Sequence, residues 1–145
     1  MLFTFGDSIT QGMTVQNPYC TYPVLLARAL GMELRNFGVG GGTFHEGVLA
    51  AYPHKPDLIT VAFGVNDWVT HPSMGQFEKY CRGFFERFHE IYNGIPTYVI
   101  TPFWHLDERK ANAIGTLEEL RHKITEICAD YDVSDCYQGN QLIPS

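Results

Sequence analysis

Ser8 stands in Gly6-Asp7-Ser8-Ile9-Thr10, directly after the apolar run Leu2-Phe3-Thr4-Phe5. Such a run, ending in Gly-Asp-Ser, reads as a buried strand that stops at a tight turn. Glycine lets the backbone turn where a Cβ would clash, and the polar residues after it emerge at the strand's exposed end. A serine hydroxyl presented there faces the crevice in which open α/β folds bind ligands, a place suited to a nucleophile. Asp and Ser are also ordinary turn and helix-capping residues, so these five alone fit a plain turn equally well. Two later stretches repeat the pattern. Asn36-Phe37-Gly38-Val39-Gly40-Gly41-Gly42-Thr43 and Gly64-Val65-Asn66-Asp67 each follow a strand-like run, so all three turns should open onto one edge of a parallel sheet.

The glycine block has a rival reading as a phosphate cradle. A P-loop needs Gly-Lys-Ser/Thr, which does not follow, and G-x-G-x-x-G is not matched either. Asn66-Asp67 taken alone is a turn. In this order, however, the three blocks resemble those of the SGNH hydrolases, also called GDSL esterases and lipases, and they cover nearly half the chain. The resemblance implies Ser8 as nucleophile, with its own amide, the amide of Gly41 and the side-chain amide of Asn66 forming an oxyanion hole. Glycine suits that role because no side chain obstructs its amide, and asparagine because its NH₂ donates without changing protonation. Asp7 is expected to brace the turn rather than to act as a triad acid. No cofactor is implied. The substrate would be a small ester, such as an acylated sugar or a lipid-derived ester.

One family block is absent. No Asp in the chain is followed three residues later by His, so the Asp-x-x-His that carries the family's base and acid is not here. Two expectations follow. The first is that residues 1–145, a single domain, are a truncated form of a longer serine hydrolase, impaired alone and lacking a final helix. An apolar sheet face left uncovered in that way would favour a homo-oligomer. The second is a non-catalytic binding domain that has lost its base. A substitute base is the remaining possibility, with His105 after the fourth strand the best placed and His45 beside the glycine block a weaker choice. Trp68, Phe103 and Trp104 follow the third and fourth strands and could line a substrate pocket at the same edge; local packing is the alternative.

Composition narrows the classes. The chain is 45% hydrophobic and 18% charged, as globular proteins are. A net charge of −6 with no basic patch argues against a nucleic-acid partner and against anionic membrane. No apolar stretch reaches spanning length and no secretory signal is visible, which points to a cytoplasmic protein. Cys20, Cys81, Cys128 and Cys136 lack Cys-x-x-Cys spacing and read as reduced, mostly buried thiols. The six histidines show no metal-binding pattern.

The elements that must position these residues alternate. Residues 22–30 read as an amphipathic helix with Val24, Leu25, Ala27 and Leu30 inward, closed by Gly31. Met32–Asn36 is a second strand, Phe44–Tyr52 a short helix, and Asp57–Phe63 a central strand buried on both faces. Ser73 caps a long helix with Phe77, Cys81, Phe84, Phe88 and Ile91 on one stripe. Residues 96–101 form a fourth strand and 133–137 a fifth. Between them Thr116-Leu117-Glu118-Glu119 is a capping box whose helix buries Leu117, Leu120, Ile124, Ile127 and Tyr131. Alternating strands and helices predict an α/β fold, a parallel sheet between helical layers. The resemblance adds a flavodoxin-like three-layer sandwich of about five strands in the order 2-1-3-4-5.

Overall fold

Five short strands rich in aromatic and β-branched residues pair in one parallel sheet, ordered β2-β1-β3-β4-β5. They are β1 (Leu2–Gly6), β2 (Leu34–Gly38), β3 (Leu58–Ala62), β4 (Thr97–Ile100) and β5 (Asp135–Tyr137). The computed structural model describes residues 1–13 and 15–142. The strand order is that implied by the resemblance, and it puts β1 between β2 and β3. Every residue of β1 is buried, as a central strand covered on both faces requires.

The two faces of the sheet differ. Phe3 and Phe5 alternate with Thr4, so one face is aromatic and the other carries hydroxyls. On the aromatic face Phe5 stacks on Phe37 of β2 at 5.0 Å between centroids. Helix α4 (Met74–Tyr92) closes over it, with Phe77, Cys81, Phe84, Phe85, Phe88 and Tyr92 buried. Ser73 caps it by accepting the Gln76 amide. Fully burying each such phenyl stabilises the fold by about 1.5–3 kcal/mol. Helix α5 (Leu117–Cys128) lies beside α4 and starts with the expected capping box between Thr116 and Glu119. Ile91 and Tyr131 are only half buried, and Phe85 and Tyr92 take the places at the stripe's edge.

Four expectations need correction. Helix α2 (Tyr22–Leu30) has the expected span, but Leu25 and Leu30 are exposed and only Pro23 and Ala27 are buried. It faces the hydroxyl side of the sheet, where Tyr22 bonds Thr10 at 3.0 Å, so small residues rather than leucines make the approach. Strand β2 begins two residues later than Met32, which brings Gly38 into register with Gly6. The segment 44–52 is not a helix. It holds a 3₁₀ turn at Glu46–Val48, in which the Val48 and Leu49 amides bond carbonyls three residues back and His45 accepts the Gly47 amide. After β5 the chain makes one turn of helix, α6 (Gly139–Leu142), held by the Gly139 amide on Thr101 Oγ1 at 3.0 Å. Residues 143–145 of the expected C-terminal stretch lie outside the described residues.

The cysteines are free thiols, with Cys81 and Cys128 buried, Cys136 half buried and Cys20 exposed. Among the described residues no helix is long and apolar enough to cross a membrane.

Candidate active site

The end of β1 is built so that the chain can reverse over its own strand. A Cβ on Gly6 would sit 2.7 Å from the Ala62 carbonyl oxygen and strike the Thr10 hydroxyl, so only glycine lets α1 (Ser8–Gln11) close down on the sheet edge. Asp7 caps that turn, its carboxylate accepting the Ile9 amide at 2.9 Å. Burial pushes the Asp7 carboxyl above its usual range. The far end of α1 is pinned to β2, where Asn36 Nδ2 donates to the Thr10 carbonyl at 2.8 Å. Ser8, the first residue of this clamped turn, is half buried, and its carbonyl receives the Gly12 and Met13 amides.

The glycine block wraps around the same point. Its amides are occupied in turn: Gly38 by Asn36 Oδ1, Val39 by the Gly6 carbonyl, Gly40 by Gln11 Oε1 at 2.7 Å, and Gly42 by the Val39 carbonyl. Gly41 breaks the series. It has φ +77°, open space where a Cβ would be, and no acceptor for its amide among the described residues. The positive φ explains the glycine.

From the other side comes α3 (Val65–Thr70), the helix that begins directly after β3. Asn66 Nδ2 donates to the Gly42 carbonyl at 3.0 Å. A side-chain amide carries two N–H groups, so this bond fixes the amide and leaves its second hydrogen unspent. Asp67, fully buried, accepts the Phe44 amide at 3.1 Å and His71 Nε2 at 3.2 Å. Burial raises the Asp67 carboxyl, and the His71 bond opposes that rise. Ser8, Gly41 and Asn66 thus follow Gly6, Gly38 and Ala62, which pair in register across three adjacent strands. Beneath the glycine block opens a cavity of about 550 Å³, lined also by Phe37, Val39, Thr43, His45, Val48 and Phe63.

The remaining candidates are more scattered. Trp68 is buried, its indole N–H donating to the Gly115 carbonyl at 2.9 Å, so it packs rather than lining an open pocket. Trp104 is 56% exposed, and Phe103 is half buried beside Ile9 in a second cavity. Both sit on a loop held by Arg121, a residue sequence reasoning did not single out. Its fully buried guanidinium donates to the Pro102 and Phe103 carbonyls at 2.8 and 2.9 Å and pairs with Glu108 and Glu118.

His105 lies against Trp68, with centroids 5.6 Å apart, and its Nδ1 accepts the Asp107 amide at 3.1 Å. An accepting Nδ1 puts the neutral ring's proton on Nε2, the reverse of the tautomer that takes a serine proton at Nε2. His45 is held the same way, its Nδ1 accepting the Gly47 amide at 2.9 Å. His71 has both ring nitrogens engaged, one by Asp67 and one by Gln76. His54 precedes β3 at the opposite edge, and His89 and His122 are exposed on α4 and α5. The Asp67–His71 pair also escaped the sequence reading. Its signal was the i,i+4 spacing across one short helix.

This fold and edge define a flavodoxin-like α/β domain with a serine just past the end of its first strand. The profile of the GDSL-like lipase/acylhydrolase family matches residues 4–138, and the chain belongs to that family. Curated protein sequences give no match. Among solved structures the chain is similar to AlinE4, an SGNH-hydrolase family esterase, with 23% identity and TM-score 0.71 over 92% of this chain and 73% of that one. It is similar to a variant of Axe2, an acetyl-xylooligosaccharide esterase from Geobacillus Stearmophilus, with 20% identity and TM-score 0.68 over 97% and 78%. The salicylyl-acyltransferase SsfX3 matches with 22% identity and TM-score 0.76, over 95% of this chain but 42% of its own.

Proposed function

We propose that this chain carries the acyl-binding half of a serine esterase that cleaves a small ester through an acyl-enzyme on Ser8. The observation that carries the reading is that the Gly41 amide and the second N–H of Asn66, both without an acceptor among the described residues, lie just past the ends of β2 and β3, the strands on either side of the one that Ser8 follows. In the first step Ser8 Oγ attacks the ester carbonyl while a base takes its proton. The carbonyl oxygen becomes an oxyanion that receives the Ser8, Gly41 and Asn66 donors. Collapse expels the alcohol, which takes the proton back, and water then repeats the sequence to free the acid. Asp7 braces the turn and does not touch the reacting atoms.

The base comes from outside residues 1–145 in this reading, because His45 and His105 each accept an amide at Nδ1, which leaves the neutral ring's proton on Nε2, His71 has both ring nitrogens engaged, and the other histidines lie elsewhere. The cavity beneath the glycine block, with Phe37, Val39, Val48 and Phe63 against Thr43, suits an uncharged acyl or acylated-sugar group. Support for that substrate class comes from the names of similar structures, an acetyl-xylooligosaccharide esterase and a salicylyl-acyltransferase among them.

Added imidazole tests the reading by supplying the base. The chain and its Ser8→Ala variant are assayed on p-nitrophenyl acetate across an imidazole series. The reading expects a protein-dependent rate that rises with imidazole above the solution reaction and vanishes in Ser8→Ala. Equal rates for both proteins would instead favour a binding domain without catalysis.

A further inference from the structure

Among the described residues, the Asp67 carboxylate is the acceptor for the Phe44 amide, which follows the glycine block directly. Phe44, which donates that amide, is itself fully buried among Phe63, Phe77 and Phe84, so its placement fixes where residues 41–43 can lie. The near end is fixed separately, by Val39 on Gly6 and Gly40 on Gln11. A carboxylate buried to this degree needs compensation. The groups facing it do not help: Asp7, from the β1–α1 turn, repels it, and Cys81, from α4, is a neutral thiol pushed well up by burial. Among the described residues, His71 alone supplies an ionisable donor, at 3.2 Å.

The His71 ring is itself held firmly. It packs against Tyr80 at 5.4 Å and Phe77 at 5.9 Å, both from α4, and His45 stacks on Tyr80 at 5.3 Å. Its Nδ1 faces Gln76 Oε1 at 3.4 Å and its Nε2 faces the Asp67 carboxylate. Two acceptors, one for each ring nitrogen, suit the ring that donates from both, the imidazolium. Its side chain is 11% exposed, so the pair is partly shielded from solvent.

We propose that His71 is a positioning residue for the Ser8 site: acting through Asp67, it holds Phe44 and so the Gly41 amide where the oxyanion forms. The inference rests on the proposed esterase reading for its consequence, but the latch itself is independent of activity. Without the His71 donor, Asp67 loses the partner that compensates its burial, its hold on the Phe44 amide weakens, and the loop gains freedom at the residue that must donate. A glutamine at position 71 would keep a neutral N–H at about the place of Nε2; a leucine would not.

The experiment compares the chain with His71→Leu and His71→Gln. Phe44 amide exchange is followed by NMR, and Ser8 acylation is followed with imidazole present. In His71→Leu, Phe44 exchange should quicken by about 10- to 100-fold and the maximal acylation rate should fall by a similar factor at unchanged KM. His71→Gln should bring both to within about three-fold of the original and remove the pH inflection that the original shows as His71 titrates. In the unaltered chain, the Phe44 amide signal should shift along the His71 titration, a readout that survives if His71→Leu fails to fold. Phe44 exchange indifferent to both substitutions, or a Phe44 signal that ignores the His71 titration, overturns the proposal. If the unaltered chain does not acylate at all, the esterase reading fails, and exchange and titration alone decide the latch.

Discussion

Asn66 has two amide hydrogens, and the fold uses one of them. That asymmetry fits the oxyanion-donor role proposed for it, because the bond to Gly42 orients the amide before any substrate arrives. We predict that Asn66→Ala lowers kcat by about 10²–10³-fold with KM nearly unchanged, since such a donor strengthens mainly as charge develops. Steady-state kinetics with imidazole rescue would read this, and a change confined to KM would contradict it. Asp7 gives a prediction of opposite sign. Its carboxyl is raised chiefly by burial, so the ionised form is disfavoured in the fold, and above its raised pKa the neutral isostere should be better tolerated. Asp7→Asn should therefore stabilise the chain at pH 7 by about 0.5–2 kcal/mol in urea unfolding. At this scale the placement of Ser8, Gly41 and Asn66 at one sheet edge was legible, because each closely follows a strand-like run. The Asp67–His71 pair and Arg121 were not, because their meaning lies in what they meet: a backbone amide from residue 44, and two carbonyls from residues 102 and 103.

At the scale of elements, the strands and the α4 and α5 stripes were readable from periodicity, since their buried faces meet a uniformly apolar layer. Helix α2 and the segment 44–52 were not. The pattern of α2 is amphipathic, yet its partner is a face of hydroxyls, and the pattern cannot say what it will meet. The segment after Phe44 has helical composition, but its Val48 and Leu49 amides bond the His45 and Glu46 carbonyls three residues back, so it tightens into a single 3₁₀ turn. Arg121 belongs to this scale because one side chain joins α5 to the loop after β4. Truncating it leaves the Pro102 and Phe103 carbonyls without their donor and two glutamates without their cation. We predict that Arg121→Ala costs about 3–5 kcal/mol in chemical denaturation. Lysine should not rescue it, because a single ammonium cannot span two carbonyls and two carboxylates at once.

For the molecule as a whole, the strand order gathers three turns at one edge, and two buried carboxyls and a half-buried histidine near that edge bear on its pH response. The His71 pKa is raised above its ordinary 6.5, mainly by the bond to Asp67. A raised histidine contributes stability that is fully present below its unfolded pKa and is lost as pH rises through the folded value. Asp7 and Asp67 are raised by burial from 3.8, so stability also falls as pH climbs from that value through their folded pKa values. Both effects run the same way. Thermal melts should give a higher Tm near pH 6 than near pH 8, and His71→Gln should shrink that difference. A Tm that rises from pH 6 to pH 8 would contradict the sign.

The account stands on Ser8 as the atom that is acylated, and covalent capture tests this most directly. The chain is incubated with a fluorophosphonate probe and imidazole near pH 8, then digested, and the modified peptide is sequenced by tandem mass spectrometry. The account predicts one adduct, on Ser8 in the peptide that follows β1, absent after Ser8→Ala and slowed by Asn66→Ala. An adduct on another serine that persists in Ser8→Ala, or no adduct at any imidazole concentration, would contradict it.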